Sequence, residues 1–264
     1  MHKRKIYILS DMEGISGVRL SDQVRPGPTP EYAEGCRLMR AEINVAIGAA
    51  FEGGADEVLV CDTHVAGGQV LIAEMDSRAS YELPVPGDMM PGLDESFAGL
   101  ILLGHHARAG TLKAFLDHTM SSESWFECRL NGRAIGEIGI EATFAGQLGV
   151  PVIAVTGDLA TRNEAREQLG DIPCAVVKDA VCRNRAHCLS LPEAHARVRS
   201  TLVEAVRDPS RYTPFRPAIP LNFSLTYYRT DMADETASRL GYRRVDARTV
   251  ECTIDRLRGV RLFT

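Results

Sequence analysis

Unbroken apolar runs punctuate the first two thirds of the chain at Ile6 to Leu9, Val58 to Cys61, Leu100 to Leu103 and Val152 to Val155, with a fifth at Ala175 to Val177. Apolar and polar residues do not alternate within them, so they read as parallel strands buried on both faces. Between the first two runs the period changes. Leu38, Ile43, Ala46, Ile47 and Ala50 recur at helical spacing. Thr29 is placed to cap that helix, Pro30 suits its first turn, Glu31 complements its dipole, and Gly53-Gly54 ends it. Strand and helix in alternation predict an α/β fold: a three-layer, mostly parallel sheet with helices on both faces.

The middle of the chain carries a different signal. Phe126 to Leu130 and Arg133 to Ile135 flank Asn131-Gly132, a pair that suits the primed turn of a β-hairpin. A helix is expected from about Glu137 to Leu148, closed by Gly149. After Leu191 the texture shifts to a helical stretch, Pro192 to Val206. A Pro- and Arg-rich segment follows, and then a short strand–helix–strand pattern from Leu221 onward. These shifts divide the chain into a larger α/β part, residues 1–191, and a smaller C-terminal α+β part, residues 192–264, with a soft boundary near Pro192.

Composition narrows the function classes. The 30 Lys and Arg against 35 Asp and Glu leave a net charge of −5. Nucleic-acid and anionic-membrane partners, which select clustered positive charge, are therefore not expected. The basic runs Lys3-Arg4-Lys5 and Arg243-Arg244 are short and read as solvated surface. Seven scattered cysteines, with no Cys-x-x-Cys pair, match neither a zinc ribbon nor a secreted disulfide framework. The apolar stretch near the N-terminus is too short for a signal peptide, and no run reaches membrane-spanning length. A cytoplasmic location is expected.

The chemistry gathers at the strand ends. In open α/β sheets ligands collect beyond the carboxyl ends of the strands. There the first run is followed by Ser10-Asp11-Met12-Glu13-Gly14, the second by Asp62-Thr63-His64, and the third by Gly104-His105-His106. Asp11 and Glu13, like Asp62 and His64, are two apart, so in extended backbone each pair projects to one side. Adjacent His105 and His106 point oppositely, so only one is expected to face the site. Carboxylate and imidazole donors without a cysteine cluster suit a catalytic zinc site. A two-metal site needs a bridging carboxylate, for which Asp11 or Glu137 could serve. Asp62 could orient a ligating histidine from behind.

The same residues resemble the zinc D-aminopeptidase family, of the bacterial dipeptide-transport-operon type. In order, the matching segments are Ser10 to Gly17, Asp62-Thr63-His64, Gly92-Leu93-Asp94, Leu103 to Ala109, His118-x-Met120, and Asn131-Gly132-Arg133 with Gly136-Glu137. They span Ile6 to about Leu191. The resemblance implies two zinc ions per chain. Asp11 would bridge them, Glu13 and His106 would complete one site, and His64 and Glu137 the other. It further implies that His118 is the catalytic side chain, as nucleophile or general base, and that the chain assembles into a ring-shaped homodecamer. The chain departs from the family type at His105, in place of tyrosine, and at Asp117, in place of serine. Thr111 to Phe115 and the region after Pro192 also differ.

Other signals fall away. Gly53-Gly54 and Gly67-Gly68 form no phosphate-binding motif, and there is no Gly-x-Ser-x-Gly elbow. Met89-Met90 reads as pocket lining or gap-filling apolar packing, and Trp125 as packing or a wall for an amine. Arg108 could hold a substrate carboxylate or brace its loop. The expected activity is zinc-dependent hydrolysis of an amide beside a free amine. That describes an aminopeptidase acting on short peptides or amino acid amides, D-residues included. The alternatives are a hydrolase of non-peptide small amides, a metal-dependent phosphoesterase, and a non-catalytic metal-binding protein.

Overall fold

The computed structural model describes residues 3–85, 87–88, 90–257 and 263; Met89 lies outside them. Strand β1 (Lys5–Ser10) leads through helix α1 (Pro30–Glu52) to β2 (Glu57–Asp62), β3 (Ser80–Glu82) and β4 (Phe97–His105). A hairpin of β5 (Trp125–Leu130) and β6 (Arg133–Ala134) is followed by α2 (Glu137–Gln147), β7 (Val152–Asp158) and α3 (Leu159–Leu169). A second hairpin, β8 (Cys174–Cys182) and β9 (Arg185–Cys188), runs into α4 (Leu191–Arg207). The chain then forms β10 (Leu221–Tyr227), α5 (Thr230–Ala237), β11 (Arg243–Arg244) and β12 (Thr249–Ile254).

The strands form two sheets. The main one has the order β3-β2-β1-β4-β7-β8-β9, parallel except for β9, and the second has the order β11-β12-β10-β5-β6, antiparallel. All five apolar runs lie within main-sheet strands. Their unbroken character follows from double-sided burial. From β1, Ile6 and Ile8 enter the core shared with α1 and α4, while Tyr7 and Leu9 enter the core shared with α2 and the second sheet. Each such fully buried aliphatic side chain contributes about 1.5–3 kcal/mol relative to exposure. Helix α1 starts as its sequence predicts, with Thr29 Oγ1 accepting from Tyr32 N at 3.2 Å. The Asn131-Gly132 turn has φ of 50° and 81°, the left-handed pair that a primed hairpin needs.

Residue 191 opens α4, whose Ala194, Val198, Leu202 and Val206 share a core with Ile43 and Ile47 of α1. The second sheet takes strands from both sides of that point, β5 and β6 before it and β10 to β12 after it. The two sheets therefore interleave along the sequence.

Strand order carries the functional consequence. From β1 the chain moves outward to β2 and β3, then returns to β1's other side with β4 and continues to β7 and β8. The reversal lies between β1 and β4, where the connections diverge to opposite faces and leave a crevice at the carboxyl ends.

Candidate active site

That crevice collects the sequence-predicted ligands. Asp11 and Glu13 follow β1, His64 follows β2, His106 follows β4, and Glu137 is the first residue of α2, where the helix dipole favours negative charge. All five are buried. His64 Nδ1 lies 3.0 Å from Asp11 Oδ1 and 3.3 Å from Glu13 Oε2. His106 Nε2 lies 3.3 Å from Asp11 Oδ2 and 3.4 Å from Glu137 Oε1. Asp11 thus stands between the two imidazoles, one on each carboxylate oxygen. Donor atoms of Asp11, Glu13 and His106 converge as one group, and those of Glu137, His106 and His118 as another.

Backbone carbonyls set the tautomers. His64 Nε2 meets Val24 O at 2.7 Å, and His106 Nδ1 meets Ala107 O at 3.1 Å. A carbonyl only accepts, so those ring nitrogens carry the hydrogen and the other nitrogen turns its lone pair toward the carboxylates. Lone pairs and anionic oxygens crowded in a buried space repel unless a cation joins them. The protein alone meets that demand with protons. Burial opposes the charge on His64, yet Glu13 and Asp11 carry its pKa up to about 12. His106 is raised well above its ordinary value against the same burial, by Glu137 and Asp11. Burial favours the neutral acid in Asp11 and Glu137, but the imidazoles hold Asp11 well below the carboxylate range and Glu137 at about 2. Glu13 Oε2 and His106 Nε2, buried, make no hydrogen bond among the described residues. Three carboxylates and two imidazoles so disposed fit divalent metal in chemistry and in direction.

The segment bearing Asp11 and Glu13 is fixed from three sides. Asp11 N and Gly14 N donate to Leu103 O and Gly104 O at 2.8 and 2.7 Å, joining it to β4. From α1, Glu42 Oε2 accepts Ser16 N at 2.8 Å. From β8, buried Lys178 donates to Glu13 O at 2.7 Å and Val18 O at 2.6 Å; burial pushes its pKa down to about 8.

His118 arrives on the segment between β4 and β5. Phe115 N donates to Asp158 Oδ2 at 2.8 Å, and His118 N to Ala107 O at 3.3 Å. The imidazole stacks on His106, with centroids 3.9 Å apart and planes at 13°. Its Nδ1 donates to Leu116 O at 2.9 Å, which leaves the Nε2 lone pair 3.8 Å from Glu137 Oε1. Val65, Leu116 and Met120 hold φ of 57°, 50° and 58°. Such left-handed conformations cost on the order of 1–3 kcal/mol each, and here they flank His64 and His118.

The remaining candidates sit behind the cluster. Asp62 accepts Gln69 N at 2.8 Å and His64 N at 3.3 Å, so it meets the backbone of His64 and not its ring. Arg108 turns to α3, with Nη1 3.3 Å from Glu167 and 3.8 Å from Glu164. His105 points away from the cluster, its Nε2 2.7 Å from Glu141 Oε2. Trp125 is buried edge-on against Phe263, and Met90 packs in the same core. The sequence reading missed two cations. Arg25 and Arg183 line the same cleft as Glu13, His64, His118 and Glu137. The fifth apolar run ends at Val177, whereas β8 continues to Cys182, so Arg183 is also a strand-end residue. Reading β8 through the buried Lys178 would have exposed it.

An open α/β sheet whose strand ends deliver this donor set defines a metallohydrolase. The comparisons give the family. A model of the peptidase M55 D-aminopeptidases matches residues 4–263, and the chain belongs to that family. A D-aminopeptidase of Bacillus subtilis (strain 168) is 33% identical over 232 residues, which cover 83% of this chain and 81% of the relative. The solved structure of the Zn-dependent D-aminopeptidase DppA from Bacillus subtilis, a self-compartmentalizing protease, superposes with a TM-score of 0.92 at 29% identity. That match covers 97% of this chain and 93% of the other.

Proposed function

We propose that the protein is a dinuclear zinc D-aminopeptidase that releases N-terminal D-residues from short peptides or amino acid amides, working as a closed homo-oligomer, a decamer in the family's manner. The observation that carries the reading is the disposition of Asp11 between two imidazoles whose lone pairs face it. In it, Asp11, Glu13, His64, His106 and Glu137 would together hold the two ions, with Asp11 available to both. Five oxygen and nitrogen ligands exceed what one tetrahedral zinc uses. Bound zinc supplies Lewis acidity to polarise the scissile carbonyl and lower the pKa of water toward about 7.

The chain's own residues do the rest. Val24 O and Ala107 O hold the two imidazoles in the ligating tautomer. Lys178, Glu42 and the β4 carbonyls keep Asp11 and Glu13 from shifting when a substrate displaces solvent. His118, tied by Nδ1 to Leu116 O, presents Nε2 at the edge of the cluster. As a general base Nε2 would take a proton from the attacking water and return it to the leaving amine as the C–N bond breaks. As a nucleophile it would instead form an acyl-imidazole, the amine leaving with a proton from solvent and water then hydrolysing the acyl group.

The test pairs metal analysis with turnover. Protein purified without chelator should carry about two zinc ions per chain and hydrolyse D-aminoacyl amides in preference to their L-enantiomers. His118→Ala should keep the metal and lose about 10²–10⁴-fold in turnover, the usual worth of a positioned acid–base group. Near-normal turnover in that variant would reduce His118 to a scaffold.

A further inference from the structure

The cleft above the cluster encloses about 1170 Å³ and has unequal charge around its rim. Its floor carboxylates, Glu13 and Glu137, are committed to the metal set. Of the other ionisable groups lining it, Arg25 and Arg183 are cationic and Glu123 is anionic. Arg25 follows Val24, the residue bonded to His64, and its side chain is mostly exposed. Arg183 flanks the His118 side and is held there. Its backbone carbonyl accepts Leu116 N at 2.8 Å, and its Nε lies 3.4 Å from Asp117 Oδ1. The other Asp117 oxygen accepts Gly110 N at 2.7 Å, so the carboxylate is itself fixed. The terminal guanidinium nitrogens of Arg183 make no hydrogen bond among the described residues. Asp117 immediately precedes His118, so the anchored cation keeps a constant offset from the reacting centre.

We propose that Arg183 binds the C-terminal carboxylate of a short peptide whose amino end lies at the metal cluster, making it a specificity-determining residue that selects di- and tripeptide free acids. The proposal rests on the aminopeptidase reading and adds the far end of the substrate to it. A guanidinium fork matches a carboxylate in shape and charge, and two of its nitrogens can bond both oxygens at once. Its fixed offset from His118 makes it a ruler. A chain too long to place its carboxylate there forgoes the ion pair and meets the rim instead. Val65, Pro84, Val85 and Met120 also line the cleft and suit aliphatic side chains of the substrate.

The test uses the zinc-loaded protein and two substrates that differ only at the far end, D-alanylglycine and D-alanylglycinamide. The parent should favour the free acid by about 10–100-fold in kcat/KM, the range expected for a charge-assisted hydrogen bond of 1.5–3 kcal/mol. Arg183→Met should collapse that ratio toward one through a raised KM for the acid, and Arg183→Lys should restore part of it, because a point charge replaces the fork. Equal use of both substrates by the parent overturns the proposal, as does an undiminished acid preference in a folded Arg183→Met protein. Turnover of neither substrate overturns the aminopeptidase reading and this proposal with it. Turnover without discrimination overturns this proposal alone.

Discussion

Glu164 shows how one side chain can set the pH response of the protein around the site. It is buried beneath the β4 exit loop, with Oε2 accepting Arg108 N at 2.6 Å and the Arg108 guanidinium 3.8 Å away. Burial pushes its pKa up to about 7, and the Arg108 backbone bond and charge only partly offset this. A folded-state pKa above the unfolded value means that the native state binds the extra proton. Stability should therefore fall as pH rises from the unfolded glutamate value, about 4.3, through about 7, and level off above that. Glu164→Gln keeps an acceptor for Arg108 N and removes the titration. Its melting temperature relative to the parent should rise between pH 5 and pH 8, by an amount equivalent to about 1–3 kcal/mol. A difference that stays constant across that range would show that Glu164 is ionised throughout. The contrast with Glu137, equally buried but held at about 2, isolates the cause: Glu137 has imidazoles beside it, and Glu164 has mainly a backbone N–H.

Between elements, the site depends on how closely the turns after β1 and β4 approach. A Cβ added at Gly14 would collide with the His105 carbonyl oxygen and the Gly104 backbone, neither of which can rotate away. Gly14→Ala must therefore push the Asp11–Glu13 segment off β4, breaking the Gly14 N to Gly104 O bond as it goes. The expected outcome is a protein that loses most of its zinc and about 1–3 kcal/mol of stability, the usual cost of overpacking a filled site. Elemental analysis and thermal melting check it; full zinc content in the variant would show that the segment tolerates displacement. The same reasoning explains why α2 begins where it does. Its first residue is both a site carboxylate and the acceptor for Met120 N at 2.6 Å, so the helix start and the His118 segment are placed together.

On the scale of the molecule, the main sheet's reversal puts the cleft on one edge, and large apolar side chains stay exposed near it. Val65, Leu71, Ile72, Leu83 and Val85 are all exposed within one stretch of chain. Val65 and Val85 line the cleft, whereas Leu71, Ile72 and Leu83 are outside its lining and are the ones a closed ring could cover by symmetry. Light scattering at micromolar concentration should give a mass several times that of one chain; a monomer there would remove the oligomer from the proposed function. Among the described residues no helix is long and apolar enough to cross a membrane.

The sheet, and the residues gathered at its strand ends, are legible in the sequence because each rests on short-range order. A strand buried on both faces must be apolar without interruption, and a site at its end must follow within a few residues, as Asp11, His64 and His106 do. Helix α1 and the Asn131-Gly132 hairpin were legible for a similar reason, since caps and primed turns are local chemistry. Helix α3 was not, because its polar sequence is set by Asp158 and by packing on β7 and β8. The division of labour between His105 and His106 needed the fold to supply Glu141 to one and Asp11 to the other. The choice for Arg108 also waited on tertiary structure, because α3 brings Glu164 and Glu167 to its guanidinium. Arg183 stayed hidden until β8 was seen to run on past Lys178, a lysine that no local pattern could place in a core. Local pattern determined which residues could act, and packing between distant segments decided which of them meet, because the partners of a buried charge come from the whole chain.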